Sequence, residues 1–482
     1  MTTTYGMYIG GEWVPAASGE TLESVEPYTG EVWATFPKGD ARDVDAAVSA
    51  AYTVHKDGTW ARDPKVRARL LNALADRIEA ESEKLAAVES RDNGKTIREE
   101  LGANKGAATW YRYAAALAET VNGESPVGND PNVLSLTQRE PYGVIGIQTP
   151  WNTPSVLLAQ TASMALAGGN AIVVKPSELA PCSILELGKL VEEVGFPAGV
   201  FNIVTGLGPV VGEALGTHPR VAKLALTGGP EAGRLVASQA AARLVPTMME
   251  LGGKSANIVF ADVDLDEVAP ELVLGFTGAG GQSCVAGTRV LVHRSLHDEL
   301  LERMTALVED LTLGDPSDMA TDMGPMATPS QVERVRDYVA RGEAEGARVV
   351  VGGPKAEYEG TLFFPPTIFG DVKPDMTIAR EEIFGPVLAV LPFDTEAEAV
   401  DIANDTEYGL AAGVWTNDLD RAHRVSRALE AGTVWVNQYR RGDVAFPFGG
   451  YGASGYGRVN GMDGYREMTR VKSIQIRLRP ER

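Results

Sequence analysis

The sequence predicts an α/β protein built from two blocks of buried, mainly parallel strands. From about residue 142 onward, short apolar runs rich in β-branched residues alternate with helical segments, which is typical of strands covered on both faces. Glycine makes up 53 of the 482 residues, an excess that many tight strand-to-helix turns would require. A chain of this length is also too long for a single hydrophobic core, so we expect two or three domains.

The region in front of these blocks is predicted to be mostly helical. Apolar residues recur there with the period of a helix, for example at Leu70, Leu74 and Ile78. The predicted elements are strands at residues 7–14 and 32–36, helices at 43–56, 63–93 and 99–119, a loop at 122–131 and an exposed strand at 133–139.

The two α/β blocks follow, and a strand-like tail closes the chain. Strands of the first block are expected at residues 144–147, 171–174, 200–204, 224–226 and 258–260. Strands of the second block are expected at residues 289–292, 348–351, 387–390, 412–416 and 433–436. The tail, residues 471–478, alternates apolar and polar side chains and predicts an edge strand.

Composition argues against several classes of function. The net charge of −21 disfavours nucleic acid or an anionic membrane as a partner, because both require basic patches. Two cysteines cannot form a disulfide framework, so a reducing compartment is expected. The first residues lack the features of a signal peptide, and the most apolar window, residues 154–174, is interrupted by polar residues and glycines. We therefore expect a cytoplasmic protein with no membrane span and no metal site.

One of the two cysteines, Cys284, lies between small residues in the segment 281–289. Glycines on its amino-terminal side let the backbone approach other groups closely, so this thiol can face a ligand. A buried cysteine that packs as a small apolar residue is the alternative. The other cysteine, Cys182, begins a predicted helix and is expected to be structural.

Two glycine-rich turns, at residues 206–212 and 227–233, each follow a strand of the first block. Such a turn places backbone N–H groups and the positive end of a helix dipole where a phosphate can bind. Neither turn has the standard G-x-G-x-x-G spacing, so a plain strand-to-helix turn is the alternative; two in succession favour a dinucleotide. The candidate cofactor residues are Gly208, Gly212, Thr227, Gly228, Gly229 and Gly233.

Polar residues also end the strand at residues 171–174, where Lys175, Ser177 and Glu178 follow. A lysine and a carboxylate at the carboxyl edge of a parallel sheet are placed to bind ribose hydroxyls, although a solvated loop is the alternative. A carboxylate accepts a hydrogen bond from a free 2′-hydroxyl and repels a 2′-phosphate. Glu178 therefore favours NAD over NADP.

Two further polar residues are candidates for chemistry. Asn152 lies between prolines just after the first strand of the block; its amide can donate to a developing oxyanion, or the segment is simply a turn. Glu250 precedes Gly252 and Gly253, so it has room to move toward a water molecule. A surface glutamate in a turn is the alternative.

Together these motifs resemble the NAD(P)-dependent aldehyde dehydrogenase superfamily. The resemblance covers residues from Tyr8 to about Val471 and is carried by an ordered set of motifs: Asn152 and residues 250–254, 281–289, 381–386 and 447–450. It implies a Rossmann-type cofactor domain, a second α/β catalytic domain and a small β oligomerisation arm. The implied boundaries are 1–121 and 141–250 for NAD binding, 251–455 for catalysis, and 122–140 with 456–482 for oligomerisation.

The resemblance also implies a mechanism. The Cys284 thiolate would attack the aldehyde carbon, and the Asn152 amide with the Cys284 backbone N–H would hold the oxyanion. Hydride transfer to NAD would leave a thioester, which water activated by Glu250 would hydrolyse to a carboxylic acid. Lys175 is counted among the catalytic as well as the cofactor-binding residues.

The remaining cofactor residues follow from the same matching. Glu382 would bind the nicotinamide ribose, with Phe384 packed beneath it, and Lys175 and Glu178 would hold the adenosine ribose. The other implied contacts are Thr149, Pro150, Trp151, Ser177, Leu251 and Gly252. The resemblance further implies a homo-oligomer, a dimer or tetramer.

The sequence departs from the family pattern at two positions. Gly229 stands where a serine is usual, which removes a hydroxyl contact to phosphate, and Thr153 stands where an aromatic residue is frequent, which predicts a wider or more polar substrate tunnel. Arg440 and Arg441 fall in the loop that would line this tunnel and could meet a substrate carboxylate, as in semialdehyde oxidation. Pairing with Asp443 or with a neighbouring subunit is the alternative. The expected pocket residues are Thr153, Leu157, Gln160, Ser283, Val285, Arg440, Arg441 and Phe448.

Two other functions compete with this one. A relative that transfers the acyl group to coenzyme A would typically lack the general base, so Glu250 argues against it. A catalytically silent protein on the same fold is the third hypothesis, because a fold does not fix a function. The presence of Cys284, Glu250 and Asn152 argues against that hypothesis.

Overall fold

The computed structural model describes residues 2–121, 123–128 and 130–479. In chain order its strands, β1 to β22, are Thr3–Thr4, Met7–Ile9, Glu12–Val14, Thr21–Val25, Val32–Pro37, Val133–Pro141, Val144–Gln148, Ala171–Lys175, Phe201–Ile203, Val221–Thr227, Thr247–Glu250, Ala256–Val259, Arg289–His293, Arg348–Val351, Thr367–Gly370, Val387–Phe393, Tyr408–Gly409, Ala411–Trp415, Thr433–Val436, Tyr451–Gly452, Gly455–Tyr456 and Thr469–Arg477. The helices, α1 to α16, are Ala41–Asp57, Thr59–Arg62, Pro64–Ala80, Ser82–Asn93, Ile97–Thr120, Pro154–Ala167, Cys182–Val194, Glu213–Thr217, Pro230–Ala241, Leu265–Thr277, His297–Glu309, Pro329–Ala344, Thr377–Arg380, Glu396–Asn404, Leu419–Ala428 and Gly461–Glu467.

The first large sheet has eight strands in the order β21-β11-β10-β7-β8-β9-β2-β3. The five strands from β11 to β9 run parallel, and the antiparallel strands β21, β2 and β3 close its two sides. Strands β7 and β8 are buried along their whole length, which explains their continuous apolar sequence. Their parallel neighbours end at the same edge, so this carboxyl edge collects Thr149, Lys175, Thr227 and Glu250.

The second sheet has seven strands in the order β14-β15-β16-β13-β12-β18-β19 and is parallel except for β14. The segments that enter β12, β13 and β16 therefore meet at its amino edge. They carry Gly253, Cys284 and Glu382. Hydrogen bonds between the segments at the two edges show that the carboxyl edge of the first sheet faces the amino edge of the second.

A separate two-stranded ribbon joins β6 to the tail strand β22. The strands pair antiparallel over their full length, with Val133 opposite Arg477 and Pro141 opposite Thr469. Both strands were expected from the alternation of their side chains, but only the fold shows that they are partners. Apolar residues at Leu134, Val471 and Ile476 remain exposed on the ribbon.

The predicted helix at residues 63–93 is wrong as a single element, because the structure divides it into α3 and α4 at Glu81. No glycine or proline marks the break. The Ser82 hydroxyl donates to the carbonyl of Glu79 at 2.9 Å, a local bond of the kind that competes with the helix ladder. Strands β1, β4, β11, β15, β17, β20 and β21 were not predicted. The strand expected in the first block at residues 258–260 is wrong in its placement, because β12 pairs with β13 and β18 inside the second sheet. Part of the predicted loop at 122–131, namely Asn122 and Asn129, lies outside the described residues, as do residues 480–482 of the proposed oligomerisation arm.

Among the described residues, the α-helices are too short or too polar to cross a lipid bilayer. The same residues contain no group of three or more His, Cys, Asp or Glu side chains placed to hold a metal ion.

Candidate active site

A cleft of about 680 Å³ separates the facing edges of the two sheets. It collects most of the residues that the sequence identified, although they come from distant parts of the chain. The predicted residues that line it are Thr149, Pro150, Trp151, Asn152, Leu157, Lys175, Ser177, Gly208, Thr227, Gly228, Gly229, Glu250, Leu251, Gly252, Cys284, Glu382 and Phe384.

Cys284 lies half-buried on a tight turn at the floor of this cleft. Gly281, three residues earlier, has a left-handed φ of 69°, and a side chain there would collide with the backbone of Gly385. A Cβ on Gly253 would lie 2.6 Å from the carbonyl oxygen of Cys284. The glycines therefore allow three backbone segments to approach one another and present the thiol to the cleft.

The environment of Cys284 disfavours the thiolate. Burial raises the pKa of the thiol to about 12, and the negative charges of Glu382 and Glu250 act in the same direction. The positive charge of Arg440 opposes them. The thiol is therefore protonated at neutral pH, and a base must take its proton before it can act as a nucleophile.

Asn152 is buried just after β7 and points toward the same turn. Its Nδ2 donates a hydrogen bond to the carbonyl of Gln282 at 2.9 Å. A primary amide has two N–H groups, so one bond fixes the orientation of the side chain and the second N–H remains available. This places an oriented donor next to the residues that precede Cys284.

Glu250 ends β11 and is only 5% exposed. Within the described ranges neither of its carboxyl oxygens has a hydrogen-bond partner. Burial raises the pKa of Glu250 well above its ordinary value, and the nearby Arg458 offsets only part of this effect. A buried, unpartnered carboxyl group that titrates late is suited to accepting a proton.

The other end of the cleft carries the ribose- and phosphate-binding candidates. Lys175 Nζ lies 2.7 Å from Glu178 Oε2, and Gly208 N–H donates to Glu178 Oε1 at 3.4 Å. Burial alone would raise the pKa of Glu178, but the Lys175 ammonium holds it below its usual range. The carboxylate is therefore ionised. Open space lies where a Cβ of Gly208 or Gly229 would stand, with no atom within 4 Å, so a phosphate can approach the backbone directly.

Glu382 lies where the facing edges of the two large sheets meet. Gly253 N–H donates to Glu382 Oε1 at 2.9 Å, and Arg334 Nη2 donates to the Glu382 carbonyl at 2.5 Å. The backbone of Phe384 has a left-handed φ of 60°. Its ring packs edge to face against the ring of Trp151, with 5.5 Å between the two ring centroids. Burial raises the pKa of Glu382 to about 6. These contacts fix a carboxyl group and an aromatic pair along one wall of the cleft.

Two predicted glycines and one carboxylate are absent from the cleft lining. Gly233 packs helix α9 against Leu251, since a Cβ on Gly233 would lie only 2.6 Å from the Leu251 side chain. A Cβ on Gly212 would likewise lie 3.0 Å from the Gln148 side chain. Both glycines allow close packing of a helix on the sheet instead of exposing backbone to a ligand. Glu178 does not line the cleft itself but contacts two residues that do, through its ion pair with Lys175 and its hydrogen bond from Gly208.

The predicted pocket residues are spread around Cys284. Leu157 lines the cleft, Thr153 accepts a hydrogen bond from Lys95 Nζ at 3.4 Å, and the Val285 carbonyl accepts one from Tyr439 Oη at 3.0 Å. Gln160, Ser283 and Phe448 are half-buried outside the cleft lining. Arg441 is paired with Glu271 at 3.3 Å, whereas Arg440 lies beside Gly278.

Sequence reasoning missed the contribution of α12. Gln331 and Arg334 on this helix line the cleft, and Gln331 Nε2 donates to the Phe384 carbonyl at 2.6 Å. The helix has the pattern of an ordinary surface helix, so no local signal distinguishes these residues. Other lining residues missed are Gln148, Leu226, Arg234, Tyr338, Glu407 and Tyr408. Residues 230–232 belong to the predicted turn at 227–233, and Glu381 belongs to the motif at 381–386.

The fold and the cleft define an enzyme of the α/β class with a thiol, an unpartnered carboxyl group and an oriented amide at the floor of a dinucleotide-sized cleft. The sequence pattern of the Aldehyde dehydrogenase family matches residues 13–474, and the chain belongs to that family.

Individual relatives agree with this assignment. The chain is 41% identical over 476 residues to a (Z)-2-((N-methylformamido)methylene)-5-hydroxybutyrolactone dehydrogenase from Acinetobacter baylyi, covering 98% of this chain and 97% of the relative. An NAD-dependent aldehyde dehydrogenase from Sinorhizobium meliloti has a similar structure, with a TM-score of 0.98, 39% identity and coverage of 100% and 96% of the two chains. The NAD+ complex of an aldehyde dehydrogenase from Bacillus cereus has a TM-score of 0.97 at 40% identity, covering 99% and 97%.

Proposed function

We propose that this protein is an NAD-dependent aldehyde dehydrogenase that oxidises an aldehyde to the carboxylic acid through a thioester on Cys284. The single observation that carries this proposal is the convergence of Cys284, Asn152 and Glu250 in one cleft, lined at its other end by Lys175 and Gly208. Membership of the aldehyde dehydrogenase family and the NAD+ complexes of its relatives support it.

The first step is activation of the nucleophile. Burial keeps both the Cys284 thiol and the Glu250 carboxyl group in their neutral forms more readily than in water. The negative charge of Glu250 raises the pKa of the Cys284 thiol further, so the thiol keeps its proton until it reacts. Glu250 takes the thiol proton as the sulfur attacks the carbonyl carbon, and the free carboxyl oxygens are available for it.

The oxyanion that forms needs donors that are already in place. Asn152 meets this need, because its bond to the Gln282 carbonyl fixes one N–H and leaves the other for the substrate oxygen. Loss of one such donor typically costs about 2.7–4 kcal/mol of transition-state stabilisation. The Cys284 N–H is the second donor in this proposal.

The residues of the cleft fit the nicotinamide cofactor. Open backbone at Gly208 and Gly229 suits a pyrophosphate, the Lys175–Glu178 pair suits a ribose, and Glu382 suits the second ribose. When bound, NAD accepts the hydride that leaves the tetrahedral carbon. The ionised Glu178 carboxylate would repel a 2′-phosphate, which favours NAD over NADP.

Hydrolysis of the thioester completes the reaction. Glu250 first releases the proton taken from the thiol to solvent. It then removes a proton from a water molecule as that water attacks the acyl carbon, and the Cys284 thiolate leaves. The products are the carboxylic acid and the free enzyme. An unpartnered base in this position favours water over coenzyme A as the acyl acceptor.

We also infer that the chain forms a homo-oligomer. The β6–β22 ribbon leaves apolar side chains in solvent, including Val471 at 56% and Ile476 at 45% exposure. Burying them against another copy would remove this apolar area from water. Sedimentation velocity tests this inference; a monomer at micromolar concentration contradicts it.

The activity itself is tested by NADH formation from NAD without coenzyme A, across aliphatic, aromatic and carboxylate-bearing aldehydes. We expect turnover that is lost in Cys284→Ala. Retained turnover in that variant would rule out the thioester mechanism. Cys182→Ala is the matched control, because the Cys182 thiol is buried away from the cleft.

A further inference from the structure

Arg440 lies in the loop that follows β19, next to a residue fastened to the nucleophile. Its neighbour Tyr439 donates from Oη to the carbonyl of Val285 at 3.0 Å, and Val285 directly follows Cys284. Arg440 itself has a left-handed φ of 56°, a conformation that arginine rarely adopts. Such strain persists where the surrounding contacts impose it, and it concentrates at functional sites.

The guanidinium group of Arg440 is seated against Gly278. A side chain at Gly278 would collide with Arg440 Nη1, so the absence of a Cβ makes this position possible. Gly278 begins the 3₁₀ turn Gly278–Gly281 that leads to Cys284. The same Nη1 reaches the Leu274 carbonyl only at 3.5 Å, which is a long and weak hydrogen bond.

The charge of Arg440 is not neutralised by an ion pair in the part of the chain that the structure describes. Its neighbour Arg441 does form an ion pair, because Arg441 Nη2 lies 3.3 Å from Glu271 Oε1. The carboxylate of Glu99 also approaches Gly278, but its Oε1 accepts from the Ala279 N–H at 2.7 Å and its Oε2 accepts from the Thr96 hydroxyl at 3.1 Å.

The position of this charge matters for the reaction. The guanidinium is near enough to Cys284 to lower the pKa of the thiol against the larger effect of burial. Lys95, the buried cation behind Thr153, is by contrast paired with Glu100 at 2.8 Å. Arg440 is therefore a cation beside the Gly278–Gly281 turn that leads to Cys284, with no carboxylate partner among the described residues.

We propose that Arg440 binds a carboxylate carried by the aldehyde substrate, so that the protein acts on semialdehydes. This inference rests on the proposed oxidation at Cys284. A guanidinium group binds a carboxylate through two parallel hydrogen bonds, which would exceed its weak contact with Leu274. Arg441, which is held by Glu271, does not take this role.

The first test does not depend on turnover. Iodoacetate and iodoacetamide alkylate the same thiol and differ in charge, so their rate ratio at Cys284 reports the local potential. We expect Arg440→Gln to lower the ratio of iodoacetate to iodoacetamide rates about tenfold at low salt. Arg441→Gln removes the same charge one residue away and should keep the ratio near that of the wild type. An equal ratio in the wild type and Arg440→Gln would overturn the proposal.

The second test uses a matched pair of substrates, 4-oxobutanoate and its neutral methyl ester. We expect Arg440→Gln to lower kcat/KM for the acid about 10- to 100-fold more than for the ester, whose own loss measures the effect of the missing charge on Cys284. Arg440→Lys keeps the charge but loses the planar guanidinium. Its kcat/KM for the acid should lie between those of the wild type and Arg440→Gln. An equal loss for both substrates would overturn the proposal and make Arg440 a residue that acts on Cys284 or on the fold.

The two proposals fail in different ways. If the wild type oxidises the ester as well as the acid and Arg440→Gln changes neither, the carboxylate inference is wrong and the aldehyde dehydrogenase activity stands. If the wild type oxidises neither compound nor any other aldehyde while Cys284 still alkylates, the proposed function fails first. Thermal unfolding of each variant shows whether it is folded.

Discussion

Glu250 Oε1 lies 2.7 Å from the point where a Cβ on Gly449 would stand. The two residues are almost two hundred positions apart, and the missing side chain of Gly449 gives the carboxyl group the space that it occupies. Glu250 has no hydrogen bond within the described residues to hold it there. Its position is therefore set by the walls around it, and Gly449 is one of those walls.

The first prediction follows from this contact. A Cβ on Gly449 would press on the Gly457 carbonyl oxygen, also at 2.7 Å, as well as on Glu250, and the side chain is the more easily moved of the two. Gly449→Ala should therefore displace the Glu250 carboxyl group and slow thioester hydrolysis, with kcat falling at least about tenfold, since a positioned base typically contributes about 10²–10⁴-fold. A burst of NADH in the first turnover should remain, although it should form more slowly, because Glu250 also takes the proton of Cys284. Stopped-flow absorbance separates the burst from the steady state.

The control for this variant is Gly102→Ala on α5, where an added Cβ meets no atom within 4 Å. It should keep the steady-state rate. A folded Gly449→Ala protein with an unchanged kcat would show that the position of Glu250 does not limit hydrolysis.

The second prediction concerns Gly252 and Glu382. A Cβ on Gly252 would collide first with the carboxyl group of Glu382, so Gly252→Ala should move that side chain. We expect the Kd for NAD to rise about tenfold, the cost of about one charged hydrogen bond. Quenching of tryptophan fluorescence by NAD measures it.

A double variant makes this prediction specific. If Gly252→Ala acts through Glu382, then adding it to Glu382→Gln should cost little more, because the two changes remove the same contact. Additive losses would mean that Gly252 affects NAD binding by another route.

The third prediction is a pH dependence. Burial raises the pKa of Glu250, and a general base works only when deprotonated, so hydrolysis should quicken as pH rises from neutrality toward that elevated pKa. Below the pKa the steady-state rate should fall about tenfold for each pH unit. Glu250→Gln should abolish this rise, and kcat measured from pH 6 to 10 decides the point.

A kcat that stays flat over this range in the wild type would contradict late titration of Glu250. A rise that persists in Glu250→Gln would assign it to another group. The Cys284 thiol is the alternative, since burial raises its pKa to about 12.

The fourth prediction concerns stability beneath Asn152. Lys95 Nζ is paired with Glu100 at 2.8 Å, and both side chains are almost completely buried. Lys95→Met leaves a buried carboxylate without its counter-charge, which should cost about 3–5 kcal/mol in the free energy of unfolding. Lys38→Met removes the exposed Lys38–Glu20 pair and should cost less than about 1 kcal/mol.

Urea unfolding followed by circular dichroism measures both changes. Similar losses in the two variants would mean that the burial of Lys95 and Glu100 does not determine their contribution. Replacing Glu100 by Gln in the Lys95→Met background should recover part of the loss, because it removes the uncompensated charge.

The sequence by itself determined the α/β class of this protein. Apolar runs such as residues 171–174 specify buried parallel strands, because only a strand covered on both faces tolerates continuous β-branched residues. Its resemblance to the aldehyde dehydrogenase family also singled out Cys284, Glu250 and Asn152 as a set with roles in thioester chemistry. The pairing of β6 with β22 was not predictable, because partners more than three hundred residues apart carry no local signal for each other.

Only the tertiary structure decided which groups are free to act. Gly233 has the sequence of a phosphate turn, yet it packs on Leu251, and Arg441, one of two adjacent arginines with the same charge, is the one that pairs with Glu271. Arg334, on a helix without any motif, holds the turn of Glu382. The reason is physical: a residue type sets which bonds a side chain can make, but burial and neighbours from distant segments determine which of them are already made.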